Sequence, residues 1–390
     1  MRIAHVTDCY LPRLGGIEMQ VHDLAVRQRL AGHDVEVITA TQPDDGAADP
    51  AWVRRVRSAV GNPAVRAVIA ASKAPQTLSA RRPFDVVHVH ASIWSPLSTV
   101  TAIAATRHGI PTVLTVHSLW SGLGPLPRVA DTTMRLRTWP MAWSAVSEVA
   151  AVPLRQMLGP DVPVSVLPNG IDPEAWRVNP TPRDNDDVTI ASVMRLAARK
   201  RPLQLLRMLR EVRDQVSADI GIRAVIIGEG PERRTLQRYV ARHGMAGWVS
   251  LPGRLERGDI RTVFAQSDLY VAPARLESFG IAALEARCAG LPVVATARGG
   301  VGEFVTHGRE GLLAGDDGDM VRELAALIGS RSLRAAITRH NRTVPSPLSW
   351  AETQNRADQL YDEAMALAGG RPRSRAGGRA QTRTKAEVAA

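Results

Sequence analysis

The sequence predicts an α/β protein made of two doubly wound domains of similar size that face a central cleft. Three observations carry that prediction. Short runs rich in Val, Ile and Ala alternate with longer helical patterns, as in parallel sheets with crossover helices. A polar, Pro-rich stretch from Arg177 to Asp187 interrupts the alternation, which then begins again. Gly-rich turns stand directly after strand ends, where open α/β sheets bind ligands.

Taken in order, Arg2–Thr7 reads as a strand. Glu18–Leu30 reads as a helix with Met19, Val21, Leu24, Ala25 and Leu30 as its apolar set and Gly32 as its stop. Val35–Ala40, Asp85–His90 and Thr112–His117 follow as strands, and Val146–Ser147 and Ser165–Leu167 continue the series. Pro168–Pro173 is dense turn chemistry. After the linker, strands are expected at Val188–Val193, Arg223–Ile227, Val249–Leu251, Leu269–Ala272 and Pro292–Thr296. Pro202–Val216, with Pro at its first helical position, and Pro231–Arg242 are the helices between them. Trp350–Ala368 is the last helix. The predicted organisation is a first domain over 1–176, a linker over 177–187, a second domain over 188–349, a terminal helix over 350–368 and a disordered basic tail over 369–390.

The chain has 390 residues, 45% hydrophobic and 22% charged, enough to bury two cores without a staple. Cys9 and Cys288 are the only cysteines, which excludes a disulfide scaffold and Cys-rich zinc or iron–sulfur sites. No run of 18 apolar residues exists, and Met1–Val6 lacks the features of a signal peptide, so the expected location is the cytoplasm. The net charge is +11. Six basic residues and one acid, Glu387, lie in Arg371–Ala390, a tail that cannot pack a core. A second basic stretch, Arg54–Arg82, carries Arg54, Arg55, Arg57, Arg66, Lys73, Arg81 and Arg82 with no acid, beside Val and Ile at loosely helical spacing. That pattern suits either a solvated helix face or a contact with an anionic membrane surface. Only four Phe and four Tyr occur, and no aromatics interleave with these cations, which argues against nucleic acid as a partner.

The segment Ala274–Ala286 carries the most chemistry. It follows an apolar strand, and Ser278 is placed to cap a helix from about Gly280 to Ala289. The backbone N–H groups of Phe279, Gly280 and Ile281 would then form an anion site at a positive helix end. Glu277 and Glu285 stand eight residues apart, too far for an acid/base pair on one helix face but suited to the two ends of one ligand. A capped surface helix with ordinary charges gives the same pattern. Arg195 ends a strand and Lys200 follows five residues on, a cation pair fit for a pyrophosphate. Arg199 and Arg201 flank Lys200, so charge alone does not choose between them. Gly228-Glu229-Gly230 is a tight turn with or without a ligand, and Arg254 stands where a nucleotide base would have its rim.

In the first half, Gly15-Gly16-Ile17-Glu18 opens a helix after the first strand, but the full dinucleotide fingerprint is absent, which disfavours a nicotinamide enzyme. His117 ends an apolar strand and faces the same cleft. His88 and His90 share a strand face, and a metal there would need a third ligand that the sequence does not identify. Asp184-Asn185-Asp186 and Asp317-Gly318-Asp319 are placed in the linker and a late loop, away from any strand end in the cleft, so the enzyme is expected to need no metal.

Over residues 1 to about 368 these pieces, in this order, resemble the retaining glycosyltransferases of family 4, with the GT-B fold of two Rossmann-like domains. The resemblance rests on Gly15–Glu18, His117, Pro168–Asp172, Arg195 with Lys200, Gly228-Glu229-Gly230-Pro231, the Glu277…Glu285 element with Phe279-Gly280, Gly299-Gly300 with Glu303, and Trp350. The first half also looks like enzymes that glycosylate inositol-containing acceptors. The resemblance implies a sugar moved from a UDP- or GDP-linked donor to an acceptor hydroxyl of a glycan, glycolipid or inositol compound, with no other cofactor. It implies that Gly16 meets phosphate or acceptor and that His117 lies by the donor sugar. Arg195 and Lys200 would neutralise the diphosphate, Glu277 would hold sugar hydroxyls, and Phe279–Ile281 would meet sugar and phosphate. Glu285 would take the ribose hydroxyls, and Trp350 would begin a helix crossing back to the first domain. One departure is Arg201-Pro202 after Lys200, where the family often has Gly. A sugar-nucleotide epimerase of the same architecture and a non-catalytic glycan- or lipid-binding module are the rival readings. The basic stretch adds the expectation of peripheral work at the cytoplasmic face of a membrane.

Overall fold

The computed structural model describes residues 1–13, 15–43, 48–56, 83–120, 135–181 and 187–369. Its strands are β1 Arg2–Thr7, β2 Asp34–Thr39, β3 Val53–Arg55, β4 Val86–Ala91, β5 Thr112–Val116, β6 Ala142–Ala145 and β7 Val164–Val166 in the first half. The second half holds β8 Val188–Val193, β9 Ile222–Ile227, β10 Val249–Gly253, β11 Leu269–Ala272, β12 Val293–Thr296 and β13 Gly311–Ala314. They form two sheets, ordered β3-β2-β1-β4-β5-β6-β7 and β10-β9-β8-β11-β12-β13. Every pairing within them is parallel. These are two Rossmann-like domains, and the strands read as near-continuous apolar runs because both faces of each sheet are covered.

The topology places the ligand sites. Strand order reverses between β1 and β4 in the first sheet and between β8 and β11 in the second. A crevice opens outside the carboxyl ends at each reversal, because the flanking crossovers leave on opposite faces. Gly16 follows β1, Arg195 and Lys200 follow β8, and Glu277–Ile281 follow β11, so the sequence motifs fall at the two reversals.

The terminal helix Trp350–Leu367 packs on the first sheet, burying Ala357, Leu360, Tyr361 and Ala364. Its entry is pinned at the turn before it. Ile171 N–H donates to Leu348 O at 3.1 Å, and Trp350 N–H to Ile171 O at 3.1 Å. A Cβ on Gly170 would meet Trp350 Cε3 at 2.5 Å, so the indole lies where only glycine leaves room.

Some sequence expectations shift. Val146–Ser147 is not a strand: β6 ends at Ala145, and Ser147 caps the helix Glu148–Leu158 by accepting from Ala150 N–H. The basic stretch is corrected at its start. Arg54 and Arg55 belong to the edge strand β3 instead of a helix. Arg54 Nε lies 2.6 Å from Glu36, and Arg55 holds Asp49 through Nε and Nη2 at 2.6 and 2.7 Å. Arg55 also donates to the carbonyls of Leu11 and Thr41. Acids that lie before the stretch therefore neutralise two of the charges that a linear count left free. The rest of that stretch from Arg57 to Arg82, the linker triplet Asp184-Asn185-Asp186 and the basic tail lie outside the described residues. No described helix is long and apolar enough to cross a membrane.

Candidate active site

After β8 the chain turns through Ala198–Lys200, and three neighbouring cations take separate directions. Lys200 Nζ reaches Glu277 Oε2 at 2.5 Å. Arg201 turns away to hold Asp317 with two bonds of 2.8 and 2.5 Å, and Arg275 joins that acid at 2.9 Å. Arg199 sits against the Leu276 carbonyl at 3.5 Å. Geometry thus selects Lys200, which charge counting did not. The Asp317 carboxylate, weighed in the sequence as a metal motif, opens the helix Asp317–Gly329 and is held by arginines. Arg201 itself has φ 60°, ψ 40°, the left-handed region that glycine tolerates best. The bidentate Asp317 contact holds arginine in this conformation.

Arg195 is exposed and forms no ion pair among the described residues, while its charge acts on Glu18 and Cys9 across the cleft. Burial raises both of those groups. The loop that bears Arg195 is held from behind by two glycines. A Cβ on Gly228 would lie 1.8 Å from Met194 O, and one on Gly230 would lie 2.4 Å from Leu196 O. Leu196 N–H donates to Glu229 O at 2.8 Å, so the close approach is hydrogen-bonded. Gly228 therefore serves by letting two backbones meet under the cation loop. Arg254 points outward and pairs with Glu256 at 3.3 Å.

The helix expected at Gly280–Ala289 runs from Ile281 to Cys288, and Gly280 in the left-handed region is its cap. Ser278 does not cap it, which corrects the sequence reading. Its hydroxyl instead donates to the His117 carbonyl at 2.7 Å, and its own carbonyl accepts from Ser147 Oγ at 2.5 Å. The N–H groups of Phe279 and Gly280 donate to no protein acceptor among the described residues, so they remain available to an anion. The Phe279 ring is buried against Phe304, with centroids 5.6 Å apart, and anchors the turn. Gly300 completes it, since a Cβ there would lie 2.3 Å from Ser278 O. Glu285 lies one helical stretch further in, and burial pushes its carboxyl up to about 8, with Arg257 pulling it back.

The first domain meets this segment directly. Gly16 lies beside the helix start, where a Cβ on it would be in ordinary contact with Ile281 Cγ2 at 3.5 Å. The backbone N–H groups of Glu148 and Val149 both donate to the Glu303 carboxylate at 2.9 Å, and Arg257 reaches Asp23 at 2.6 Å. Asp8 closes the β1/β4 reversal by accepting from Leu97 N–H, Ser98 N–H and Ser98 Oγ at 3.0, 3.0 and 2.7 Å. Neither the Asp8 contact nor the Glu303 cap carries a local sequence signal, because each partner is about 90 or 155 residues away. The structure brings His117, Gly16, Arg195, Lys200, Glu277 and Ser278–Ile281 to one cleft.

The third histidine missing from the sequence reading is His5, whose ring lies beside His88 and His90. Their ring nitrogens are already paired inside the protein. His5 joins Gln28 and His90, His88 joins Tyr361 and Thr115, and the second nitrogen of His90 joins His117. No lone pair in the trio is left for a cation, so the cluster is a hydrogen-bond network.

Two family models tile the chain: Glycosyltransferase Family 4 over residues 14–175 and Glycosyl transferases group 1 over 177–344. The chain belongs to the GT-B glycosyltransferases of family 4. It is 26% identical to a subunit of the phosphatidylinositol N-acetylglucosaminyltransferase of Arabidopsis thaliana, over 94% of this chain and 82% of that protein. With the GDP-mannose-dependent alpha-(1-6)-phosphatidylinositol monomannoside mannosyltransferase of Mycobacterium tuberculosis it shares 28% identity, covering 83% and 87%. Among solved structures, Anabaena HepE in complex with UDP and glucose superimposes with a TM-score of 0.70 at 21% identity, covering 92% of this chain and 98% of that one. The fold and the transferase class of this glycosyltransferase agree with the sequence expectation.

Proposed function

We propose that this glycosyltransferase moves a mannosyl or N-acetylglucosaminyl group from a GDP- or UDP-linked donor to a hydroxyl of an inositol-containing phospholipid, with retained configuration and without a metal. The observation that carries the reading is the uncommitted Arg195 with the Lys200–Glu277 pair at the β8/β11 reversal, opposite His117. Support for the acceptor comes from the two relatives, whose names both specify phosphatidylinositol or its mannoside.

In this reading the donor diphosphate enters the second-domain crevice. Lys200 exchanges Glu277 for phosphate, and Arg195 and the free amides of Phe279 and Gly280 add donors where negative charge grows as the leaving group departs. Released from Lys200, Glu277 accepts hydrogen bonds from sugar hydroxyls. Glu285 meets the ribose from inside the helix. His117 faces the sugar from the first domain, and the acceptor hydroxyl attacks on the face that the diphosphate leaves. The contacts between Ser278 and His117 and between Glu303 and Glu148–Val149 tie the domains together beside the reacting centre, which limits access of water.

The test is incubation of the full chain with radiolabelled GDP-mannose or UDP-N-acetylglucosamine and phosphatidylinositol vesicles. Transfer of label to lipid from one donor, unchanged by EDTA, is the expected result. No transfer from either donor would overturn the acceptor and donor assignment. Loss in EDTA with recovery in Mn²⁺ would overturn metal independence. Vesicle sedimentation with the same lipids tests peripheral binding, which should strengthen with anionic lipid and weaken with salt.

A further inference from the structure

One line of buried hydrogen bonds runs from the cleft across one face of the first sheet. His117 Nε2 lies 3.0 Å from His90 Nδ1, His90 Nε2 lies 2.9 Å from His5 Nδ1, and His5 Nε2 lies 2.6 Å from Gln28 Oε1. The Gln28 amide nitrogen donates to Tyr361 OH at 2.9 Å, which lies 3.0 Å from His88 Nδ1. His88 Nε2 is 2.7 Å from Thr115 Oγ1, which is 2.7 Å from Ser144 Oγ, and Ser144 donates to the Leu114 carbonyl at 3.5 Å. All of these side chains are buried.

The line has one direction. The Gln28 amide sets it: its nitrogen donates to Tyr361 OH, so the Tyr361 proton goes to its other partner, His88 Nδ1. His88 then carries its proton on Nε2 and donates to Thr115 Oγ1. Tyr361 accepts from the Gln28 amide, which leaves the Gln28 carbonyl to accept from His5 Nε2–H. A neutral imidazole carries one N–H and one lone pair, so His5 Nδ1 accepts from His90 Nε2–H, and His90 Nδ1 accepts from His117 Nε2–H. Burial keeps the imidazoles neutral: His5 and His117 are lowered to about 4, and His88 and His90 fall well below the ordinary range. The tautomers are thus assigned by the network. His117 Nδ1 is left with a lone pair and no protein partner among the described residues, in a residue that keeps 7% of its surface exposed at the cleft.

We propose that Gln28 and Tyr361 are positioning residues that, through His5 and His90, hold His117 in the Nε2–H tautomer, so that Nδ1 accepts a hydrogen bond from a substrate hydroxyl. The terminal helix thereby does more than cover the sheet. It brings Tyr361 to Gln28 and orients an amide two histidines away from the cleft. With the amide reversed, each ring would flip in turn and His117 would offer Nδ1–H, which repels a hydroxyl donor and suits an anion.

The test uses the full chain labelled with ¹⁵N-histidine, and its spectroscopic arm needs no substrate. Ring-nitrogen NMR, with His117 assigned by the signals lost in His117→Ala, reports which nitrogen carries the proton. The wild type is expected to show His117 protonated on Nε2. Gln28→Leu leaves the His5 N–H without an acceptor, so the protons should move and His117 should become protonated on Nδ1. Gln28→Glu restores an acceptor and should restore Nε2–H. Wild-type His117 protonated on Nδ1, or split between tautomers, would overturn the proposal without either Gln28 variant having to fold. An unchanged His117 signature in folded Gln28→Leu would do the same. A kinetic arm rests on the transfer reading: kcat/KM for the donor should fall about tenfold in Gln28→Leu and return to within about twofold in Gln28→Glu. Because the NMR arm is ligand-free, it stands or falls independently of the donor and acceptor assignment.

Discussion

Replacing Lys200 by methionine keeps the length of the side chain and removes its charge, and the structure separates two consequences. In the free enzyme, Lys200 Nζ lies 2.5 Å from Glu277 Oε2, and the two side chains are 32% and 16% exposed. A pair so placed is screened by water, so its loss should cost about 1 kcal/mol of stability. That corresponds to a fall of about 2–4 °C in the melting of a unit the size of the second domain, which carries both residues. During turnover the same ammonium faces a diphosphate whose charge grows as the glycosidic bond breaks. A preorganised donor at that position is worth about 3 kcal/mol, or roughly 10²-fold in kcat/KM. The activity loss should therefore far exceed the stability loss. The double variant Lys200→Met/Glu277→Gln sharpens the comparison, since it removes the stranded carboxylate. Its melting temperature should return toward wild type while its rate stays low. Thermal melts paired with initial rates on the donor that supports transfer make the measurement. A folded Lys200→Met enzyme with kcat/KM within about threefold of wild type would refute the assignment of Lys200 to the leaving group.

Glu285 gives a pH prediction. Its folded-state carboxyl is raised to about 8, so the stability it contributes is present below the ordinary carboxylate range and is lost as pH rises through about 8. Glu285→Gln should flatten that decline in melts taken from pH 5 to 9, and an unchanged slope would show that the acid ionises freely. If Glu285 takes ribose hydroxyls as a carboxylate, UDP or GDP binding at pH 7.5 should release a proton, read by calorimetry in buffers of different ionisation enthalpy, and Glu285→Gln should abolish that release. Gly228→Ala would place a methyl 1.8 Å from the Met194 carbonyl at φ 139°. It should cost at least about 2 kcal/mol and displace the Arg195 loop, so weaker nucleotide binding should accompany the lower Tm. Asp317→Asn should destabilise the left-handed turn at Arg201 by about 1 kcal/mol, and Arg201→Gly in the same background should recover it, because glycine needs no ion pair to hold that conformation. Denaturant melts would decide this, and additive losses in the two variants would count against it.

Period and composition alone settled the architecture. Thr112–Val116, Leu269–Ala272 and Val188–Val193 are short, mainly apolar runs bounded by turn residues, as burial of both sheet faces requires. The cleft motifs were legible for the same reason, since strand ends at topological reversals bind ligands whatever the chemistry. What local pattern could not supply was partner choice. Lys200, Arg199 and Arg201 are adjacent and alike in sequence, yet only the turn geometry sends one to Glu277 and another to Asp317. Arg54 and Arg55 looked like free charge because Glu36 and Asp49 reach them through space. Ser278 had the composition of a helix cap, but the neighbouring Gly280 takes that place and Ser278 bonds the backbone of His117. The histidine line depends on register most of all. His5 meets His88 only because β1 and β4 pair with those residues opposite each other, and Tyr361 arrives from a helix 273 residues further along the chain than His88. Hydrophobic period is a local quantity that a strand or helix must satisfy by itself. Hydrogen bonds and ion pairs between distant residues are satisfied only once the sheets have stacked their crossovers, so tertiary structure decided them.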